Sequence, residues 1–113
     1  MKLNHLTLLV EDVAGTRDFL QKYFDMKGMG KPTDHMSFLT DDQGMVMGLF
    51  KSEGAQYPEG FHIGFIQPTA EKVNEIHQRM LADGLQADAP RKLHGSWTFY
   101  YRCPGGFLVE VLH

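Results

Sequence analysis

The apolar pattern of this chain is written twice. Leu3 to Val10 alternates as a strand, with Leu6, Leu8 and Val10 on one side and Leu3, His5, Thr7 and Leu9 on the other. Asp12 then supplies an N-cap for a helix to about Asp25, whose apolar side uses Phe19, Leu20, Tyr23 and Phe24. Met26 to Pro32, interrupted by Gly28 and Gly30, reads as a short edge strand and turn. His35 to Thr40 and Met45 to Lys51 read as a hairpin around Asp41-Asp42-Gln43-Gly44. The series restarts after Ser52 to Gly60. Phe61 to Gln67 is a strand, and Thr69 caps a helix to about Asp83 that Gly84 stops, with Val73, Ile76, Met80 and His77 toward the core. Gln86 to Leu93 is a weaker strand, and Ser96 to Cys103 and Phe107 to Leu112 form a second hairpin around Pro104-Gly105-Gly106.

The order β-α-β-β-β therefore occurs twice. His62 follows His5 by 57 positions, an offset that lays Gln67 on Val10 and Ile76 on Phe19. Near the ends of the halves, Gly106 to Leu112 overlies Gly44 to Phe50, placing Glu110 on Gly48 at an offset of 62. The expected fold is α+β, one domain over residues 1–113, built from two tandem βαβββ modules: module one 1–52, a linker 53–60, and module two 61–113. The competing expectation is a simple α+β sandwich whose periodicity is accidental.

Composition narrows the function classes. With 113 residues there is room for one core and not two. A net charge of −3, with basic residues scattered rather than clustered, disfavours nucleic acid and anionic membrane. No apolar stretch approaches membrane-spanning length, and the opening residues Lys2, Asn4 and His5 do not resemble a secretory signal. The single cysteine, Cys103, allows no internal disulfide and fits a reducing cytoplasm. A cytoplasmic location is expected.

Two histidines and a glutamate stand out. His5, His62 and Glu110 fall within three strands and are flanked by apolar residues. A carboxylate among such neighbours is costly unless it is paired or metal-bound. Two imidazoles and one carboxylate suit zinc, manganese or ferrous iron with coordination positions left open. Repetition puts His5 and His62 at equivalent places on two first strands. The plainer alternative stays open: a strand histidine is commonly a hydrogen-bonded core residue, and Glu110 can equally pair with an arginine.

The segment Asn4-His5-Leu6-Thr7-Leu8-Leu9-Val10 with Asp12 and Asp18-Phe19, the strand Phe61-His62-Ile63-Gly64-Phe65, and the run Phe99-Tyr100, Pro104-x-Gly106 and Glu110 together resemble the glyoxalase, bleomycin-resistance and dioxygenase superfamily, the vicinal oxygen chelate proteins. The resemblance spans nearly the whole chain. It implies paired βαβββ modules forming a cupped mixed sheet with helices on the outer face, around one divalent metal ion (Fe, Mn, Zn or Ni) held by His5, His62 and Glu110. It also implies a homodimer.

Within that superfamily, glyoxalase I enzymes supply a fourth ligand from the last strand of the first module, where this chain has Gly48. Extradiol dioxygenases are resembled in His94, Phe99-Tyr100, Pro104-x-Gly106 and Glu110, but the gap from His94 to Phe99 is short and Cys103 is out of pattern. Fosfomycin thiol transferases share the Asn4 to Leu8 opening, but Arg91 to Gly95 does not reproduce their cation loop. Tyr100 is the candidate catalytic residue, as hydrogen-bond donor to a metal-bound oxygen, while His94 reads as a solvated loop residue. Thr7, Thr98 and Arg102 are the candidate substrate contacts, by alternation with His5 and Tyr100. Met36, Met45, Met47 and Phe50 are expected to form an apolar wall, and Cys103 to be structural. These features describe a metal-dependent enzyme of the glyoxalase or dioxygenase type acting on a small molecule that chelates through adjacent oxygens. The alternative is a protein that sequesters an apolar drug without catalysis.

Overall fold

Each half of the chain builds the same sheet by the same route. The computed structural model describes residues 1–113, which divide into two compact units: residues 1–57 with 103–106, and residues 58–102 with 107–113. In the first, β1 (His5–Val10) leads into α1 (Val13–Phe24), followed by β2 (Lys27–Met29), β3 (Met36–Thr40) and β4 (Val46–Lys51). In the second, β5 (His62–Ile66) leads into α2 (Ala70–Ala82), then β6 (Arg91–Leu93), β7 (Ser96–Arg102) and β8 (Leu108–Leu112). The strand orders are β1-β4-β3-β2 and β5-β8-β7-β6. Each is a four-stranded mixed sheet in which the first and last strands of the unit pair in parallel and the remaining pairs are antiparallel. The fold is α+β, of two βαβββ modules, as the repeat predicts.

Capping places the helices. Asp12 Oδ1 accepts the Gly15 N–H at 2.9 Å, and the Asp12 carbonyl accepts from the Thr16 hydroxyl at 2.7 Å. The helix ends at Asp25, in the left-handed region at φ 54°. Its buried stripe is Val13, Thr16, Phe19, Leu20 and Tyr23; Phe24, expected on that stripe, is half-buried at its margin with its ring edge-on to Phe19. In α2, Thr69 Oγ1 accepts from the Lys72 N–H at 3.1 Å. Gly84 (φ +84°) lets the chain turn back so that Leu85 N–H reaches the Met80 carbonyl at 2.9 Å.

One face of each sheet meets its own helix. Leu8, Val10, Leu39, Met47 and Leu49 lie buried on the α1 side, and Phe99, Val109 and Val111 on the α2 side with Val73, Ile76 and Met80. His77 is buried among them; its Nε2–H donates to the Ala87 carbonyl at 3.1 Å and its ring meets the edge of Phe99. Met47 departs from expectation. It is the register partner of Leu6 and Leu39, so it packs under α1, while Phe50 aligns with Leu9 and Met36 on the other face. Residues an odd number apart in one strand cannot share a face. The strand expected over 86–93 shortens to Arg91–Leu93, because Pro90 has no N–H to donate and the Ala87 carbonyl is taken by His77.

The faces turned away from the helices carry the candidate residues. In the first unit these are His5, Thr7 and Leu9, aligned with Val46, Gly48 and Phe50. In the second they are His62, Gly64 and Ile66, aligned with Leu108, Glu110 and Leu112, and beyond them Arg102, Tyr100 and Thr98.

Candidate metal centre

Glu110 sits in the middle of β8 between two register partners, Gly64 on β5 and Tyr100 on β7. Gly64 puts no side chain beside the carboxylate; a Cβ there would lie 4.0 Å from Oε1. Glu110 Oε2 accepts from the Thr98 hydroxyl at 2.8 Å, and Tyr100 stands across the β7–β8 ladder from the carboxylate. Glu110 Oε1 faces His62 Nε2 at 3.5 Å, with the glutamate side chain 14% exposed and the histidine 41%.

The tautomer of His62 follows from its other nitrogen. Nδ1 lies 2.8 Å from the Gly60 carbonyl, and a carbonyl only accepts, so Nδ1 carries the hydrogen. In the neutral ring the Nε2 lone pair therefore points at a carboxylate oxygen, and two acceptors face one another. This arrangement needs a cation or a proton between them. Cis ligands about 2.1 Å from one metal ion stand about 3.0–3.4 Å apart, close to the observed 3.5 Å. A histidine whose Nδ1–H is tied to a carbonyl is also the usual form of a metal ligand. The donor pair fits a divalent ion.

His5 is prepared in the same way within the first unit. Its Nδ1 is hydrogen-bonded to Asn4 Oδ1 at 2.8 Å, leaving Nε2 as the acceptor nitrogen. The position matching Glu110 there is Gly48. A Cβ at Gly48 would meet Phe50 at 3.1 Å, Phe38 at 3.3 Å and Thr7 Oγ1 at 3.4 Å. The two phenyl rings stand edge to face at 5.7 Å between centroids. The position that matches Glu110 in the first unit is thus walled by aromatic rings. No three His, Cys, Asp or Glu side chains gather into one metal-holding group; the pair brought together is His62 and Glu110.

The remaining candidates sort by neighbour. Tyr100 stands edge-on to the His62 ring at 5.4 Å. Burial first, then the neighbouring Glu110 carboxylate, push its phenol above the ordinary value, and the positive charge of Arg91 opposes them. Thr7 is exposed beside Gly48. Arg102 is exposed at the end of β7, aligned with Leu108 rather than Glu110. Thr98 is 1% exposed. His94 is an exposed turn residue in the left-handed region (φ 51°), and Cys103 is a buried thiol outside any disulfide. Sequence reasoning missed Arg91. It aligns with Thr98 across β6–β7, which puts it on the Tyr100 face, and the only available signal was a register that alternation cannot supply.

Solved structures share this architecture. A protein described as a possible glyoxalase from Bacillus cereus is 39% identical, with a TM-score of 0.94 over 100% of this chain and 99% of that one. The fosfomycin resistance protein FosX of Listeria monocytogenes is 26% identical with a TM-score of 0.80, covering 98% of this chain and 89% of its own. Lactoylglutathione lyase of Agrobacterium tumefaciens, at 20% identity and a TM-score of 0.78 over 98% and 92%, shares the fold. No protein of curated function matches the sequence. Residues 2–111 match throughout, and the chain belongs to the Glyoxalase/Bleomycin resistance protein/Dioxygenase superfamily.

Proposed function

We propose that this chain is a divalent-metal-dependent enzyme of the glyoxalase or dioxygenase type, acting on a small substrate that chelates through adjacent oxygens. The observation that carries this reading is the opposed pair His62 Nε2 and Glu110 Oε1, 3.5 Å apart, with His62 Nδ1 held from behind by the Gly60 carbonyl. His62, Glu110 and His5 are proposed as the ligands of one ion, Fe, Mn, Zn or Ni. Bound there, the ion would act as a Lewis acid, polarising a carbonyl or stabilising an enolate. Tyr100 is proposed as the catalytic hydrogen-bond donor to the reacting oxygen; with its phenol held above the ordinary range it stays protonated at neutral pH. Thr7 and Arg102 are proposed to serve the substrate, whereas Thr98, 1% exposed and bonded to Glu110 Oε2, is poorly placed to do so. The likeness to the Bacillus cereus protein described as a possible glyoxalase supports this reading. The aromatic wall at Gly48 argues against the four-ligand site of ordinary glyoxalase I. The same reading has the protein work as a cytoplasmic homodimer. No helix is long and apolar enough to cross a membrane.

The test is elemental analysis of protein purified without chelator, beside His5→Ala, His62→Ala and Glu110→Gln. Near-stoichiometric Mn, Fe, Ni or Zn in the parent and loss in the three variants is expected. Protein that arrives metal-free and takes up none of the four overturns the reading. An apolar drug held by such protein would favour sequestration.

A further inference from the structure

Thr98 has one hydroxyl hydrogen and two acceptors within reach: Glu110 Oε2 at 2.8 Å and the Val111 carbonyl at 3.1 Å. An ionised carboxylate only accepts, so the shorter contact requires Thr98 to donate. A hydrogen bond to a charged oxygen is roughly twice as strong as one between neutral groups, and the hydrogen goes to Glu110. Thr98 is also 1% exposed. A hydroxyl so placed reaches substrate poorly and reaches the carboxylate well.

The geometry points to Thr98 as a positioning residue for the metal centre: by holding Glu110 Oε2 it leaves Oε1 as the oxygen presented beside His62 Nε2. The inference rests on the metal-dependent reading above. Its logic lies in what else surrounds Glu110. Gly64, the register partner of Glu110 on β5, offers no side chain to restrain the carboxylate plane. Tyr100 stands on the other flank, the register partner of Glu110 on β7. Without the Thr98 donor, the carboxylate can rotate about its last torsion toward Tyr100, taking Oε1 away from His62. Sheet rigidity makes Thr98 a fixed anchor: its backbone is held between β6 and β8, opposite Arg91 and Leu112.

The experiment titrates chelator-stripped protein with Co2+ against a chromophoric chelator and records the visible Co2+ spectrum. Parent, Thr98→Val, Thr98→Ser and His62→Ala are compared, with thermal unfolding of each stripped protein as a check on folding. Thr98→Val keeps the branched shape and removes the donor; Thr98→Ser keeps the donor. Thr98→Val is expected to weaken Co2+ about 10–100-fold, as loss of a partner behind a ligand does, and to shift the spectrum. Thr98→Ser is expected to recover parental affinity and spectrum. Parental affinity in Thr98→Val, with His62→Ala impaired, overturns the role of Thr98 and leaves the metal reading standing. Equal weakening in Thr98→Ser and Thr98→Val also overturns it, because packing rather than the hydroxyl then matters. If the parent binds no Co2+, the metal reading itself fails and takes this inference with it.

Discussion

Gly64 is the register partner of Glu110 across the parallel β5–β8 ladder, and its missing side chain gives the carboxylate its room. A Cβ at position 64 would lie 3.4 Å from Leu112 Cδ2 and 4.0 Å from Glu110 Oε1, both ordinary contacts. Gly64→Ala should therefore change stability by less than about 1 kcal/mol and leave metal uptake intact. Gly64→Val adds two methyl groups beyond that Cβ and should reduce metal affinity about tenfold or more by displacing the carboxylate. Paired chelator titrations and urea melts check both.

Tyr100 gives a pH signature. Its folded pKa lies above the ordinary 10.0, through burial first and Glu110 second. The folded state keeps this proton where the unfolded chain releases it, so stability is unaffected below pH 10.0 and falls as pH rises beyond it. Glu110→Gln removes the charge behind part of the rise and should bring the Tyr100 titration down. Arg91→Gln should move it up. Carbon-13 tyrosine NMR across an alkaline titration distinguishes the two directions.

Rebuilding a fourth ligand tests the aromatic wall. Gly48→Glu should cost about 1–3 kcal/mol, the usual penalty of overpacking, because Phe50 and Phe38 stand 3.1 and 3.3 Å from the new Cβ. Phe50 corresponds in register to Leu112, the neighbour of Glu110 in the other unit. Combining Gly48→Glu with Phe50→Leu should recover part of the loss. Chemical denaturation of the single and double variants checks this.

Asp12 caps α1 through Gly15 N–H. Asp12→Ala should destabilise the chain by about 1 kcal/mol, seen as a lower urea midpoint with metal affinity unchanged. Asp12→Asn, which keeps the acceptor, should sit close to the parent.

Much of this architecture is legible in the sequence because it is local or periodic. Strand parity separates His5 and Thr7 from Leu6 and Leu8, and Asp12, Thr69 and Gly84 punctuate the helices where expected. The two repeat offsets reappear as register, with Thr7 opposite Gly48 as Gly64 is opposite Glu110. Other features depend on which strand lies beside which. Alternation puts Thr98 and Glu110 on one face but cannot say that they touch. Arg91 was hidden for the same reason, since a three-residue strand carries no periodic signal. The misassigned side of Met47 came from grouping methionines by chemistry instead of by parity.

The walled glycine at position 48 also bears on how such a chain diversifies. Glycine and glutamate codons that end in a purine differ by a single base, so a carboxylate at this place is genetically near. What stands in the way is two phenyl rings fitted against a backbone that has no side chain. A lineage that first shrinks a ring relieves this crowding before a carboxylate arrives, whereas one that takes the glutamate first must carry the overpacking meanwhile. The order of substitutions, and not only their number, then shapes how this half of the molecule changes.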